Sequence, residues 1–281
     1  MQRVYTAHDL RAWRASAAGT LGLVPTMGNL HAGHLALVAA ARAQCERVVV
    51  SIFVNPLQFG PNEDLDSYPR TLEADVRALE QAGADAVFAP SVDQMYPHGG
   101  TTATTVRVEG ITDMLCGSRR PGHFEGVATV VTKLLNLVGP DYAFFGEKDF
   151  QQLAVIRRLV DDLCMDVQIV GVPTVREADG LALSSRNQYL SADERQCAPA
   201  LSAALEDCRM RLLEGDRNFA GLEARGRALL DDAGLETDYF EIRSPELMAP
   251  STDMCAFRVL AAAFLGRARL IDNMAVEAAP S

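Results

Sequence analysis

Long apolar runs are missing from this chain. No stretch approaches the roughly 18 residues that a membrane-crossing helix requires, and the opening MQRVYTAHDLRAWRAS lacks the apolar core of a secretory leader. The expectation is a soluble, cytoplasmic protein with no membrane partner. Cysteine pairs are missing too: the 6 cysteines (45, 116, 164, 197, 208 and 255) contain no CxxC, so neither a zinc knuckle nor a small disulfide scaffold is indicated. Positive charge is in deficit. Lys and Arg total 26 against 37 Asp and Glu, a formal net charge of −11, which argues against nucleic acid as a partner because phosphate backbones select basic faces. Lysine itself is nearly absent, with only Lys133 and Lys148 among the 26 basic residues. A bias toward arginine codons is the plain reading of that scarcity. Yet in such a chain a retained lysine marks a place for a compact ammonium where a planar fork does not fit, and Lys148 is singled out. Two nucleotide signatures are also lacking. No GxxxxGK[ST] occurs, and no GxGxxG follows the first expected strand, which disfavours a Walker-type loop and a dinucleotide oxidoreductase.

What is present is a core-forming composition, 48% hydrophobic over 281 residues, sufficient for two unequal domains. From residue 20 to about 173, apolar runs (LGLVPT, RVVVSIFV, DAVFAP, DYAFFG, DVQIVGVPT) alternate with helical patterns such as HLALVAAARAQC and GVATVVTKLLNLV. Strands apolar on both faces and separated by helices predict an α/β fold, a Rossmann-like doubly wound parallel sheet. The texture then changes. Two helical stretches, ADERQCAPALSAALEDCRMRLL and FAGLEARGRALLDDAG, precede strand-like DYFEIRS, FRVLAAAFL and ARLIDNM, an α+β pattern. The expected domains are 1–174 and a smaller 175–281, joined at VPTVREADG.

In doubly wound sheets ligands sit beyond the carboxyl ends of the strands, so the turns there are the places to look for chemistry. PTMGNLHAGH carries His31 and His34 beside Gly28 and Gly33, where a strand gives way to a helix. Glycines allow close backbone approach, and a helix start offers unpaired N–H groups to phosphate. Zinc ligation and a purely structural pair are the competing readings, and zinc lacks further ligands at suitable spacing in His8, His98 and His123. FVNPLQF presents Asn55, Gln58 and Phe59 as an uncharged hydrogen-bonding ledge, or an ordinary proline-rich loop. SRRPGHFEGV sets Arg119, Arg120 and His123 before a helix; GEKDFQQL puts Lys148 after a strand, though a plain charged turn would look the same. READGLALSSRN gathers Ser184, Ser185 and Arg186, for which a helix cap is the alternative.

PTMGNLHAGH resembles the HxGH signature of a nucleotidyltransferase superfamily. Taken in order, HAGH, FVNPLQF, RPGHFEGV, GEKDFQQL and LALSSRN look like the pantothenate synthetase (pantoate–β-alanine ligase) family over about residues 20–190. The resemblance implies ATP-dependent joining of D-pantoate to β-alanine through a pantoyl adenylate, with release of pyrophosphate and AMP. It implies ATP contacts on Met27, Gly28, Asn29, Leu30, His31, Ala32, Gly33 and His34, on Gly146, Glu147, Lys148 and Asp149, and on Val175, Leu183, Ser184, Ser185 and Arg186. His34 matches the family's proton donor, while Gln58 and Gln152 match its pantoate ligands, Gln58 also lying near β-alanine. His31, His34, Lys148 and Arg186 are therefore the expected catalytic group. Mg²⁺ is expected with ATP, its protein ligands unassigned and Asp75 and Asp149 the candidates. A homodimer and a nucleotide-covering C-terminal lid domain are further implications. Two departures stand out: Leu183 replaces a common methionine, and Arg119 adds a basic residue before Arg120.

Overall fold

A computed structural model describes residues 1–278 apart from 17, 62, 64, 100, 101 and 103. The chain forms two compact units, Met1–Glu147 with Gln151–Pro173, and Lys148–Phe150 with Thr174–Ser281. Asn62 and Asp64, which belong to the ledge-bearing stretch, lie outside the described residues.

The first unit runs β1 (Gln2–Val4), α1 (Ala7–Ser16), β2 (Leu21–Thr26), α2 (Ala32–Gln44), β3 (Arg47–Ile52), α3 (Leu72–Gln81), β4 (Ala86–Phe88), α4 (Val92–Met95), α5 (Leu115–Arg119), α6 (His123–Val138), β5 (Tyr142–Gly146), α7 (Phe150–Asp162) and β6 (Gln168–Val172). Its six strands are ordered β1-β4-β3-β2-β5-β6, and every pair is parallel. This is the expected doubly wound sheet with one strand more than the apolar runs announce. β1 has three residues with only Val4 buried, too short to show a period. Val24, Val48, Val50, Val87 and Phe144 of the sheet pack with Leu37, Val38, Val76 and Leu79 of α2 and α3, so strand side chains without polar atoms fill a dry layer. Strand order reverses between β2 and β5. The turns leaving these two neighbours therefore open at the topological switch point, where such sheets bind ligands.

The second unit contains α8 (Ala192–Cys197), α9 (Ala200–Leu213), α10 (Phe219–Asp232), β7 (Glu236–Arg243), β8 (Ala256–Leu265) and β9 (Ala268–Glu277). β7, β8 and β9 form an antiparallel sheet, with Phe240, Ile242, Phe257 and Val259 packed with Leu205, Leu212, Leu222 and Leu230. The first long helical stretch is in fact two helices. Ala198 and Pro199 separate α8 from α9, as expected of a ring that removes a backbone donor.

Asp272 of β9, with its side chain 1% exposed, meets Arg176 at 2.6 Å; the second oxygen accepts from Arg176 Nη2 at 2.9 Å and from the Asn273 N–H at 2.7 Å. Removing a partner from a buried pair strands the other charge. Asp272→Ala is expected to lower unfolding stability by about 3 kcal/mol, read as a shifted urea midpoint by circular dichroism. A loss under about 1 kcal/mol would show that Arg176 finds equivalent acceptors.

Candidate active site

After β2 the chain turns through Gly28 (φ 84°) and Asn29 (φ 50°). A Cβ on Gly28 would stand 3.0 Å from Asp75 Oδ2 and 3.1 Å from Ile52 Cγ2, so both the conformation and the space call for glycine. Asp75, 3% exposed in the first turns of α3, holds this turn. Its Oδ2 accepts from the Asn29 N–H at 3.0 Å and its Oδ1 from the Leu30 N–H at 2.9 Å, with Thr71 Oγ1 donating at 3.1 Å. Sequence reading makes Asp75 a candidate magnesium ligand. Both of its oxygens are instead engaged with main-chain donors, so its evident work is to shape the turn.

His31 is the N-cap of α2, and His34 completes a reciprocal capping box. His31 Nδ1 accepts from the Gly33 N–H at 3.1 Å, while His34 Nδ1 accepts from the His31 N–H at 3.3 Å. An imidazole nitrogen that accepts carries no proton, so the neutral tautomer of each ring bears its hydrogen on Nε2. The rings lie together, centroids 4.1 Å apart. The structural reading of the pair, a helix cap, is the one these contacts realise. The Nδ1 atoms cap the helix, and the Nε2–H groups are two donors at its positive end.

Beyond β3, Asn55 (1% exposed) caps the 3-10 turn Pro56–Gln58. Its Oδ1 accepts from Leu57 N–H at 3.3 Å and from Tyr96 Oη at 2.8 Å; its Nδ2 donates to Gly126 O and to Gln58 Oε1, each at 3.1 Å. Burial pushes the Tyr96 phenol well above its ordinary value, so it stays a donor. With Oε1 fixed, the Gln58 amide directs Nε2 at Met27 Sδ, 3.2 Å away, and the second turn meets the first. Gly126 of α6 makes the approach possible: a Cβ there would lie 2.2 Å from Leu57 O.

The main chain of Gln58 is gripped as well. His123 Nδ1 is 2.8 Å from Gln58 O and must donate to it, leaving Nε2 to accept from Arg120 Nη1 at 3.0 Å. Arg120 also reaches Gln58 O through Nη2 at 3.4 Å, and Glu63 takes Arg120 Nε at 2.7 Å and Nη2 at 2.5 Å. Burial, the strongest single influence, raises the Glu63 pKa, but hydrogen bonding and charge from Arg120, with a main-chain hydrogen bond at Gly60, carry it below the ordinary value. Tyr96 and Glu63 escape sequence reading. Nothing in their spacing marks them, although Arg119, Arg120 and His123 stand out as a cluster.

β5 ends in Gly146, and Glu147–Asp149 form a 3-10 turn ahead of α7. The two glutamines after it diverge. Gln151 is 4% exposed and is spent on the main chain of Ile111, Met114 and Cys116. Gln152 is half-buried and shares no hydrogen bond with Gln58 among the described residues.

Within the second unit, Lys148 O accepts from Asn273 Nδ2 at 2.9 Å, and the Arg258 guanidinium stacks on Phe150, 3.8 Å from its centroid. Lys148 Nζ lies 3.9 Å from Asp149 Oδ2, with side chains 17% and 49% exposed. Val175 and Leu183 are paired, Leu183 N–H donating to Val175 O at 3.0 Å, across a turn that Arg176 and Ala182 bridge. Ser184 Oγ caps the 3-10 turn Ser185–Tyr189 by accepting from the Arg186 N–H at 3.3 Å. The cap alternative is therefore realised, and it fixes the backbone from which Ser185 and Arg186 project. Among the described residues no three His, Cys, Asp or Glu side chains cluster as a metal site, and no helix is long and apolar enough to cross a membrane.

Known proteins are similar to this chain over nearly its whole length. A family model described as pantoate-beta-alanine ligase matches residues 2–275. Pantothenate synthetase of Stutzerimonas stutzeri (strain A1501) is 57% identical over 281 residues, covering 99% of this chain and 98% of that protein. The crystal structure of pantothenate synthetase from Thermus thermophilus superposes with a TM-score of 0.91 at 50% identity, covering 98% of this chain and 99% of the other. A pantoate-beta-alanine ligase from Francisella tularensis, crystallised with beta-gamma ATP and beta-alanine, gives 0.83 at 33% identity and 100% coverage of both chains.

Asp75→Asn replaces one acceptor by an NH₂ group facing an N–H. The Asn29 and Leu30 amides should then exchange hydrogen about tenfold faster, as the loss of ~1–2 kcal/mol of local bonding requires. Unchanged exchange, measured amide by amide, would remove Asp75 as the anchor.

Proposed function

This chain belongs to the pantoate-beta-alanine ligase family, and from that premise we propose that it makes pantothenate from D-pantoate, β-alanine and ATP. In the first step a pantoate carboxylate oxygen attacks the α-phosphorus, and the bond to the β-phosphate oxygen breaks to release pyrophosphate. In the second, the β-alanine nitrogen attacks the acyl carbon, AMP departs and the amine loses its proton. A carboxylate is already ionised at neutral pH, so adenylation needs no strong base. Its difficulty is the meeting of anions, and fixed donors answer it.

The observation that carries this reading is the adjacency of two features at the switch point, the paired imidazole donors starting α2 and the Gln58 amide directed at Met27. His31 and His34 hold phosphate oxygens through Nε2–H, together with the main chain of Met27, Gly28, Asn29, Leu30, Ala32 and Gly33. With Nδ1 engaged in the helix cap, His34 acts as a neutral donor that shares its proton with the growing charge. Gln58 and Gln152 bind pantoate's hydroxyls and carboxylate, amides being strong enough to orient the nucleophile without an ion pair that quenches it. Met27 and Phe59 pack its two methyl groups.

The family positions for the nucleotide continue through Gly146, Glu147, Lys148, Asp149, Val175 and Leu183 to Ser184, Ser185 and Arg186. Lys148 and Arg186 supply the positive charge that phosphates require, Ser184 and Ser185 the hydroxyl donors, and Val175 with Leu183 an edge for adenine. Mg²⁺ accompanies ATP, held mainly by phosphates and water, with Asp149 and Asp75 the candidate carboxylates. Residues 1–174 form the nucleotide- and pantoate-binding domain and 175–281 the smaller lid domain. A cytoplasmic homodimer completes the reading.

ATP–pyrophosphate isotope exchange tests it. Exchange should require pantoate and should fall about 100-fold or more in His34→Ala and Lys148→Ala; exchange indifferent to pantoate would point to a different nucleotidyl transfer. Gln58→Ala should raise the pantoate KM at least ~10-fold, about 1.4 kcal/mol, and unchanged kinetics would take Gln58 out of the site. Nitrogen-15 spectra should show both histidines protonated at Nε2 at neutral pH. A proton on either Nδ1 would contradict the donor assignment.

A further inference from the structure

Gln58 is held at two places. Asn55 fixes its side-chain oxygen, whereas its carbonyl is fixed by His123 and Arg120, residues at the start of α6 and just before it. The second hold depends on a residue of neither element. Glu63 lies in sequence between Phe59 and Tyr68, whose rings meet edge to face 5.9 Å apart, and it is joined to Arg120 through both oxygens across 57 positions of sequence. The ion pair is largely shielded, its side chains 19% and 24% exposed, which separates it from the solvent-screened pairs that orient nothing.

Arg120 Nη2 lies within bonding distance of both Glu63 and Gln58 O, and Nη1 supports the nitrogen of His123 opposite the one that grips the same carbonyl. A planar guanidinium docked on a carboxylate through two parallel bonds has its remaining donors fixed in direction. Without the carboxylate it turns freely, and the carbonyl loses a defined pair of donors.

We infer that Glu63 is a positioning residue for the acid substrate: by orienting Arg120 and His123 it fixes the carbonyl of Gln58 and so aims the Gln58 amide. The inference rests on the assignment of Gln58 to pantoate made above. Glu63 does not touch the substrate. Its removal therefore weakens pantoate binding specifically and leaves ATP binding alone, whereas damage to folding would reduce the active fraction and lower kcat at constant KM.

Steady-state kinetics on the full chain decide it. Glu63→Ala should raise the pantoate KM about tenfold and Glu63→Gln about threefold, with the ATP KM within twofold of the parent. In a Gln58→Ala background Glu63→Ala should have no further effect on the pantoate KM, as coupled residues are not additive. An unchanged pantoate KM in Glu63→Ala, or an equal rise in both backgrounds, overturns the inference while leaving the Gln58 assignment intact. A Gln58→Ala variant with parental kinetics fails the earlier assignment and this inference with it. The two are told apart by the Gln58 side-chain amide resonance, identified by its loss in Gln58→Ala, which should shift in Glu63→Ala; a resonance that stays put also counts against Glu63.

Discussion

A carboxylate taken out of water is tolerated only where donors surround it, and the use this protein makes of Asp75 follows from that constraint. Each oxygen of Asp75 takes a main-chain N–H from a turn more than forty positions away in sequence. The turn can satisfy them because Gly28 and Asn29 adopt left-handed backbone conformations. Charge burial and backbone geometry are thus one problem with one solution. The beginning of α2, and the imidazoles on it, inherit their orientation from a helix that approaches from another strand connection.

The histidine pair shows how a cap can also fix a tautomer. A serine or aspartate would cap α2 equally well, but neither leaves a nitrogen-bound proton on the far side of the same ring. Imidazole accepts on one edge and donates on the other, and the helix cap selects which edge does which. Gln58 repeats the device with an amide, its oxygen held by Asn55 so that its nitrogen is the group presented. In both cases a donor is prepared by engaging the acceptor of the same side chain.

The sequence discloses the elements that repeat and the motifs that are contiguous. Five strands, the doubly wound class and the family are legible because apolar runs and short motifs such as HAGH and NPLQF are local patterns. β1 is not, since three residues at a sheet edge carry no period. The break at Pro199 is visible in the sequence, yet the helical pattern reads straight through it. Long-range partners are illegible: Asp75 looks like any acidic residue opening a helix, Tyr96 like any core aromatic and Glu63 like a solvated loop charge. Adjacent glutamines in FQQL cannot be told apart either. One of them, Gln151, turns inward to hold the main chain of residues 111–116, and only the fold reveals which.

Gly126 carries a consequence for anyone wishing to toughen this protein. Replacing helical glycine with alanine ordinarily stiffens a helix by about 1 kcal/mol, and by that rule position 126 in α6 is an attractive target. Here the added methyl would collide with the carbonyl of Leu57 and drive the neighbouring turn outward. The helix tolerates a weaker residue so that another segment can lean on it, and thermal hardening at this position would act directly against the turn that carries Gln58.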